Sequence, residues 1–510
     1  MLKIHTFPKD ESKSNLYSVE INSKPVLCEF ARVSAMPFNM PWPGHQRDLS
    51  QTEEAAFISF EGDENVKIKV TAAEVKTAAI RPLAKNVKPV INENTVEFSL
   101  AEYGGYVLEI NGQHNALHIF YNPPRDFKAE ADRDKQMGRT VYYYGAGLHN
   151  AGNIWLNSKT TVVIDNGAVV RGSFSAFGAD DIKIMGYGIL DGSNEIRTTD
   201  TACVYNLNRL ALKEKYFPEN YEEYAELLSK TDSLNGHFRF YRCENVYCEG
   251  VILKDCSNFC VVPAASNNVI IDNIKTIGMW RYNSDGIDIF NSSNVVVKNC
   301  FLRNFDDAMV IKGIYGWDFK NNEDILVENC VIWCDWGGAL EIGAETNADE
   351  FKNITYKNCY IIHDSFGAMM RIHHHNRADI HSITYENIHC EFSADQMAPV
   401  FQKSDDEVYV DTPNSYQPYI FNMFVNADNL YGRENDHQQG PIHDITFKNI
   451  HLYIENGVFP MPQICMTGVD EKAYVKNINL ENFYINGKAV KNISELNPEI
   501  RGTVSDINWK

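Results

Sequence analysis

In the first 122 residues apolar and polar side chains alternate with a period of two, as in Tyr17-Ser-Val-Glu-Ile21, Val26-Leu-Cys-Glu-Phe30, Ala56-Phe-Ile-Ser-Phe60, Val66-Lys-Ile-Lys-Val70, Val96-Glu-Phe-Ser-Leu100, Tyr106-Val-Leu-Glu-Ile110 and Leu117-His-Ile-Phe-Tyr121. Such alternation buries one face of a strand and leaves the other wet, so seven short strands parted by turns predict a β-sandwich. Asn122-Pro123-Pro124 cannot continue a hydrogen-bonded ladder. It sets the boundary between a sandwich domain, 1–122, and a second domain, 123–510.

The rhythm then changes. An Asn precedes a buried-type residue in Asp272-Asn273-Ile274, Lys298-Asn299-Cys300, Glu328-Asn329-Cys330, Lys357-Asn358-Cys359, Glu386-Asn387-Ile388, Lys448-Asn449-Ile450 and Glu481-Asn482-Phe483, at successive offsets of 26, 30, 29, 29, 62 and 33 residues. The 62 is two periods, or one period carrying an insertion. Short apolar strands such as Asn294-Val-Val-Val297, Asp324-Ile-Leu-Val327, Asn353-Ile-Thr-Tyr356 and Asp444-Ile-Thr-Phe447 lead into these corners. A strand that cannot bury its apolar face alone, repeated with a polar residue at each corner, predicts a parallel β-solenoid. In that register the asparagines can bond from coil to coil, and Cys300, Cys330 and Cys359 stack inside as small hydrophobes. Two interruptions stand out: a helical insertion over about 193–236, centred on the helical spacing of Leu207–Leu228, and a long loop over about 394–440, rich in Asp, Asn, Pro and Tyr. The loop could wall a cleft.

Composition narrows the partners. Across 510 residues, 47 basic residues face 68 acidic ones, a formal net charge of −21. That balance repels nucleic acid and anionic lipid, and there is no apolar run near the ~18–20 residues of a membrane span. The start, Met1-Leu-Lys-Ile-His-Thr-Phe-Pro, lacks a signal-like apolar stretch, so a cytoplasmic location is expected, or secretion if the chain has been trimmed. The 12 cysteines read as buried free thiols. Cys256/Cys260 and Cys330/Cys334 are each a single C-x3-C without a histidine at ligand spacing. No metal or cofactor is expected, and homo-oligomerisation is left open.

Chemistry concentrates in Asn283-Ser-Asp285-Gly-Ile-Asp288 and Asn304-Phe-Asp306-Asp307. Asp285 and Asp306 are 21 residues apart, close to one coil. Coils about 4.8 Å apart would bring Asp285, Asp306 and Asp307 into one patch. Carboxylates so close cannot all ionise easily, which leaves an acid and a base in one site, the division that glycosidic cleavage needs. Solvated corner aspartates or a calcium site also account for the spacing, and spacing alone does not decide among the three.

The motifs Asn283-Ser-Asp285-Gly, Asp306-Asp307-Ala-Met-Val-Ile-Lys312, Gly337-Gly-Ala-Leu-Glu341-Ile-Gly-Ala-Glu345-Thr and Arg371-Ile-His373 resemble, in order, the N-T-D-G, D-D, G-H-G and R-I-K motifs of the polygalacturonases, glycoside hydrolase family 28. Gly186-Tyr-Gly-Ile-Leu-Asp191-Gly and Arg242-Cys-Glu-Asn-Val246 resemble that family's early coils. A sandwich ahead of the helix is more similar to the related dextranases, family 49. The resemblance spans roughly residues 140–485. It implies a right-handed parallel β-helix that hydrolyses an oligo- or polysaccharide with inversion and without a cofactor. Asp306 matches the general acid, Asp285 and Asp307 the pair holding the attacking water, and Asp288, Lys312 and Arg371 the adjoining subsites. Two departures matter: the family's G-H-G histidine falls on Gly338, and the lysine of R-I-K falls on His373. Those residues grip the substrate, the Arg-x-Lys pair by holding a uronate carboxylate, so a neutral or singly charged glycan is expected here; the lack of a signal-like stretch and the insertions over 193–236 and 394–440, which could close one end of the groove, lead to the expectation of exo action.

Other candidates follow from alternation and residue type. Residues on a strand point alternately to opposite faces, so His373-His374-His375 cannot converge on one metal, whereas Arg371 and His373 share a face. Glu341 and Glu345 are candidate cleft carboxylates, and Trp280, Arg281 and Trp336 flank the motifs as candidate sugar contacts. Pro41–Arg47 is a sandwich loop that could reach the cleft. Two other readings remain open: a polysaccharide lyase or fructotransferase on the same helix, and a non-catalytic glycan-binding solenoid.

Overall fold

The structure, a computed structural model, describes residues 2–36, 39–40, 49–62, 65–195, 236–281, 283–314, 316–396, 400–401, 417–428 and 438–510. The loop 41–47 and the expected helix over 207–228 lie outside the described residues, as does much of 394–440. Among the described residues no helix is long and apolar enough to cross a membrane.

The alternating N-terminal strands form one ten-stranded sheet. Thr52–Glu61 lies within it, antiparallel to Lys24–Ser34 and parallel to Leu117–Asn122. The sheet closes on itself in a sandwich-like way, because one apolar cluster collects Tyr106 and Leu108 from a strand near one end and Val70 and Phe98 from strands near the other, together with Val19, Ile21, Ile58 and Phe60 between them.

From Thr140 to Trp509 the chain winds into a parallel β-helix whose strands join in a single 30-stranded sheet. Its core is built column by column. Ile182, Val246, Val269, Val295, Ile325, Ile354, Ile383, Ile445 and Ile478 occupy the same register position of successive coils, and all are buried. Ile383 pairs directly with Ile445, so the 62-residue offset is one coil carrying an insertion.

Each coil turns at left-handed residues, which asparagine tolerates better than other side chains bearing a Cβ. One row is Asn273, Asn299, Asn329, Asn358, Asn387, Asn449 and Asn482, with φ of 53–57°. Within it Asn387 Nδ2 donates to Asn358 Oδ1 at 2.8 Å and Asn482 Nδ2 to Asn449 Oδ1 at 3.0 Å. A second row, Asn245, Asn268, Asn294, Asp324, Asn353, Ser382, Asp444 and Asn477, is also left-handed. The residues that open the apolar strands in the sequence are therefore corners too. Inside, the Cys330 thiol sits between those of Cys300 and Cys359, and every described cysteine is buried and free.

The sandwich docks on the helix through Phe57, Val107 and Phe120 against Ile252, Phe301, Val331 and Trp333. A charged cluster closes the same interface: Arg81 donates to Glu109 at 2.7 Å and to Glu391 at 2.5 Å, and His363 Nε2 lies 2.5 Å from Glu109. Both carboxylates are buried; the guanidinium favours the ionised form of each, His363 acts with it on Glu109, and burial still pushes Glu391 up to about 7. Arg81→Ala is expected to destabilise the chain by about 3–5 kcal/mol, read from the denaturant midpoint, and Glu391→Gln in the same chain should recover part of the loss.

Candidate active site

The strands Ile287–Phe290, Met309–Gly313, Leu340–Thr346 and Ala368–His374 stack in parallel, each the neighbour of the next. Register places Asp288 beside Val310, Val310 beside Glu341 and Glu341 beside Arg371. The turns leading into the first two strands carry Asp285 and the Asp306-Asp307 pair. Gly286 N–H donates to Asp307 O at 2.8 Å, which sets those turns one above the other. A Cβ on Gly286 would lie 2.2 Å from Ala308 O, so the Asp-Gly sequence allows this close approach. The result is one patch in which an oxygen from each of Asp285, Asp306 and Asp307 lies within 4.8 Å of the others.

The three carboxyls do not share one protonation state. Asp307 Oδ2 receives Lys312 Nζ at 2.7 Å, and its Oδ1 accepts the Gly338 N–H at 2.9 Å. Burial opposes its ionisation, but the ammonium and the N–H outweigh it and hold Asp307 below the usual carboxylate range. Asp306 is pushed up to about 6, first by burial and then by the Asp307 charge. Burial and three neighbouring aspartates lift Asp285 well above its ordinary value, and burial takes Asp288 to about 8. A protonated acid therefore stands beside an ionised base.

Three clustered carboxylates could also hold a hard cation. Here Lys312 Nζ already brings a positive charge to Asp307, and it lies 3.4 Å from Glu345 as well. The described residues hold a second group with metal-ligand chemistry. Cys256 and Cys260, read from the sequence as lacking a histidine, are joined by His237. That residue lies 23 positions before Cys260, and the stacking of consecutive coils brings the two together.

The remaining candidates separate by environment. Arg371 reaches Glu341 at 3.5 Å and His373 Nδ1 at 3.0 Å, so the strand face that alternation predicted does carry both. His374 points the other way, bonded to Thr346 and Gly440. The alternation extends one step beyond the reading of the sequence: His375 Nε2 lies 2.6 Å from His373 Nε2, and His375 Nδ1 2.5 Å from Asp428. Trp280 and Arg281 turn away from the patch to Asp255, Trp280 Nε1 donating at 2.9 Å and Arg281 to the Asp255 carbonyl at 3.1 Å. Trp336 stacks on Phe366 at 4.0 Å and on Phe305 at 6.5 Å. Phe366 is 38% exposed and presents the outer face of this stack; nothing in its local sequence, Ser365-Phe366-Gly367, marks it for that place.

Gly338 has a physical reason. A Cβ there would fall 1.9 Å from Glu341 Oε2, so Glu341 occupies the space that a larger side chain at 338 would need.

Residues 149–409 match the family model for glycosyl hydrolases family 28, about half of the chain. The chain is 24% identical over 417 residues to probable exopolygalacturonase B of Neosartorya fischeri, covering 76% of this chain and 81% of that protein. The match to probable endopolygalacturonase D of the same fungus is 28% identical over 109 residues and spans only 21% of either protein. Among solved structures, Dex49A from Penicillium minioluteum aligns over 99% of this chain and 96% of its own at 14% identity, with a TM-score of 0.53. That likeness shows the fold, sandwich and helix together.

Because Gly338 and Glu341 share one space, Gly338→Ala is expected to cost about 1–3 kcal/mol by overpacking, measured as a shift in denaturant midpoint. Glu341→Ala in the same chain should recover part of it.

Proposed function

The chain belongs to glycosyl hydrolase family 28, and from that premise we propose that it cleaves a glycosidic bond by inversion, with Asp306 as general acid and Asp307, beside Asp285, activating the attacking water. The observation that carries this reading is the split between adjacent residues: burial and a neighbouring charge keep Asp306 protonated up to about 6, while Lys312 keeps Asp307 ionised. In the reaction Asp306 gives its proton to the leaving oxygen as the bond to the anomeric carbon breaks. Water loses its proton to Asp307 as its oxygen bonds to that carbon. General acid–base transfer of this kind contributes typically ~10²–10⁴-fold.

A neutral glycan is the proposed substrate class, although the name of the exopolygalacturonase relative points to polygalacturonate. The strand-face cations are already engaged, Lys312 by Asp307 and Glu345 and Arg371 by Glu341, so a uronate carboxylate would meet carboxylates already bound to its partners. Attack from one chain end is proposed by likeness to that same relative.

Asp306→Asn should lower kcat about 10²–10⁴-fold, and proton NMR of fresh products should show the inverted anomer; a retained anomer or undiminished activity would overturn the proposal. For the wild type, kcat/KM should fall as pH rises through about 6, when Asp306 loses its proton, and fall again on acidification below the ordinary aspartate range, when Asp307 gains one. A panel of neutral and uronate oligosaccharides assayed by product profile should show turnover of a neutral member with release of one small product.

A further inference from the structure

In the two coils before Asp285 the same turn of the helix carries sulfur and nitrogen in place of oxygen. His237 immediately precedes the strand Phe238–Tyr241, and Cys260 immediately precedes Val261–Ala264. These strands pair in parallel with Phe238 opposite Val261, so His237 and Cys260 stack directly. Cys256 returns from the same turn, and one donor atom from each of the three residues lies within 4.8 Å of the others. All three are buried.

The polar groups here are incompletely satisfied by protein. His237 Nδ1 lies 3.1 Å from Cys260 Sγ, while His237 Nε2 is buried with no hydrogen-bond partner. Glu195 stands beside Cys256 and His237. One of its oxygens accepts from Ser257, and the other, Oε1, is buried without a partner. A disulfide between the cysteines would satisfy neither the imidazole nor this carboxylate. A cation bound by the thiolates would satisfy both.

We propose that His237, Cys256 and Cys260 form a zinc site with three protein ligands inside the β-helix, with the Glu195 carboxylate standing near Cys256 and His237. Two thiolates and an imidazole are the soft and borderline ligands that select zinc over calcium or magnesium. A structural zinc is tetrahedral, with Zn–S about 2.3 Å and Zn–N about 2.0–2.1 Å, and three donor atoms lying within 4.8 Å of one another can surround one such ion. Two cysteines would bind by losing their protons, so the ion enters as two thiols release two protons to solvent.

The site also has a reach. Cys260 N–H donates to the Asp285 carbonyl at 3.0 Å, so a metal that fixes Cys260 fixes the turn holding Asp285. Its role is positional, one coil away from the carboxylate patch.

The test uses the full chain purified without chelator. Mass spectrometry of the metal content should find about one zinc per chain. Exchange for cobalt should give the intense visible bands of tetrahedral thiolate-bound cobalt. The variant Cys256→Ser/Cys260→Ser should lose the metal, while Cys300→Ser, a buried thiol elsewhere in the core, should keep it. Zinc-depleted wild type should lower its thermal midpoint and regain it on adding zinc, a readout that does not depend on turnover. Zinc absent from the purified wild type, with no cobalt bands after reconstitution, overturns the proposal whether or not the variants fold. So does a disulfide between Cys256 and Cys260 in protein kept under reducing buffer.

Discussion

The structure depends on one constraint, the in-register stacking of parallel coils. A residue placed at a corner recurs one coil later almost directly above its counterpart, and the column from Ile182 to Ile478 shows how far this holds. An apolar residue repeated in this way forms a continuous core. An asparagine repeated in this way forms a ladder and takes the left-handed turn that most side chains resist. A carboxylate repeated in this way meets another carboxylate, which is costly in itself and becomes useful when one of the pair is neutralised.

That neutralisation is the work of Lys312. Its ammonium lies against Asp307, one residue along from Asp306, so two adjacent aspartates are pushed in opposite directions by the same surroundings. Burial acts on both. The cation and the Gly338 N–H favour the Asp307 carboxylate, whose charge then opposes ionisation of Asp306, and register places the cation: the Asp-Asp pair lies in the turn just ahead of the strand that carries Lys312. The neighbouring strand face continues through Glu341, Arg371 and His373. Glu341 fills the position that Gly338 leaves open, and its other oxygen lies 3.7 Å from His373, the second departure from the family motif.

Much of this was legible in the sequence because periodicity is a local signal. Alternation exposed the sandwich strands, and the repeated asparagines exposed the coils. The Asp285, Asp306 and Asp307 cluster followed from adding one coil length to the spacing. What stayed hidden was contact between residues whose separation no period announces. His237 and Cys260 lie 23 residues apart, shorter than the asparagine offsets, so the histidine was missed as a partner for the cysteines. His375 was missed beside His373 although the same alternation rule places it there. Trp280 and Arg281 looked like sugar contacts because of their neighbours in sequence, yet they bond to Asp255 in the preceding turn.

The sequence by itself determined the repeat, the strand faces and the order of motifs, since each rests on side-chain periodicity read within one coil or between adjacent coils. The tertiary structure decided which groups are charged and which are neutral. Protonation depends on burial and on distances between atoms, such as the 2.7 Å from Lys312 to Asp307. It also decided that the 62-residue gap is one coil, that the sandwich is locked to the helix by Arg81, and that a buried nitrogen and two sulfurs meet beneath Asp285. Those are outcomes of stacking in three dimensions, where residues far apart along the chain share one low-dielectric space.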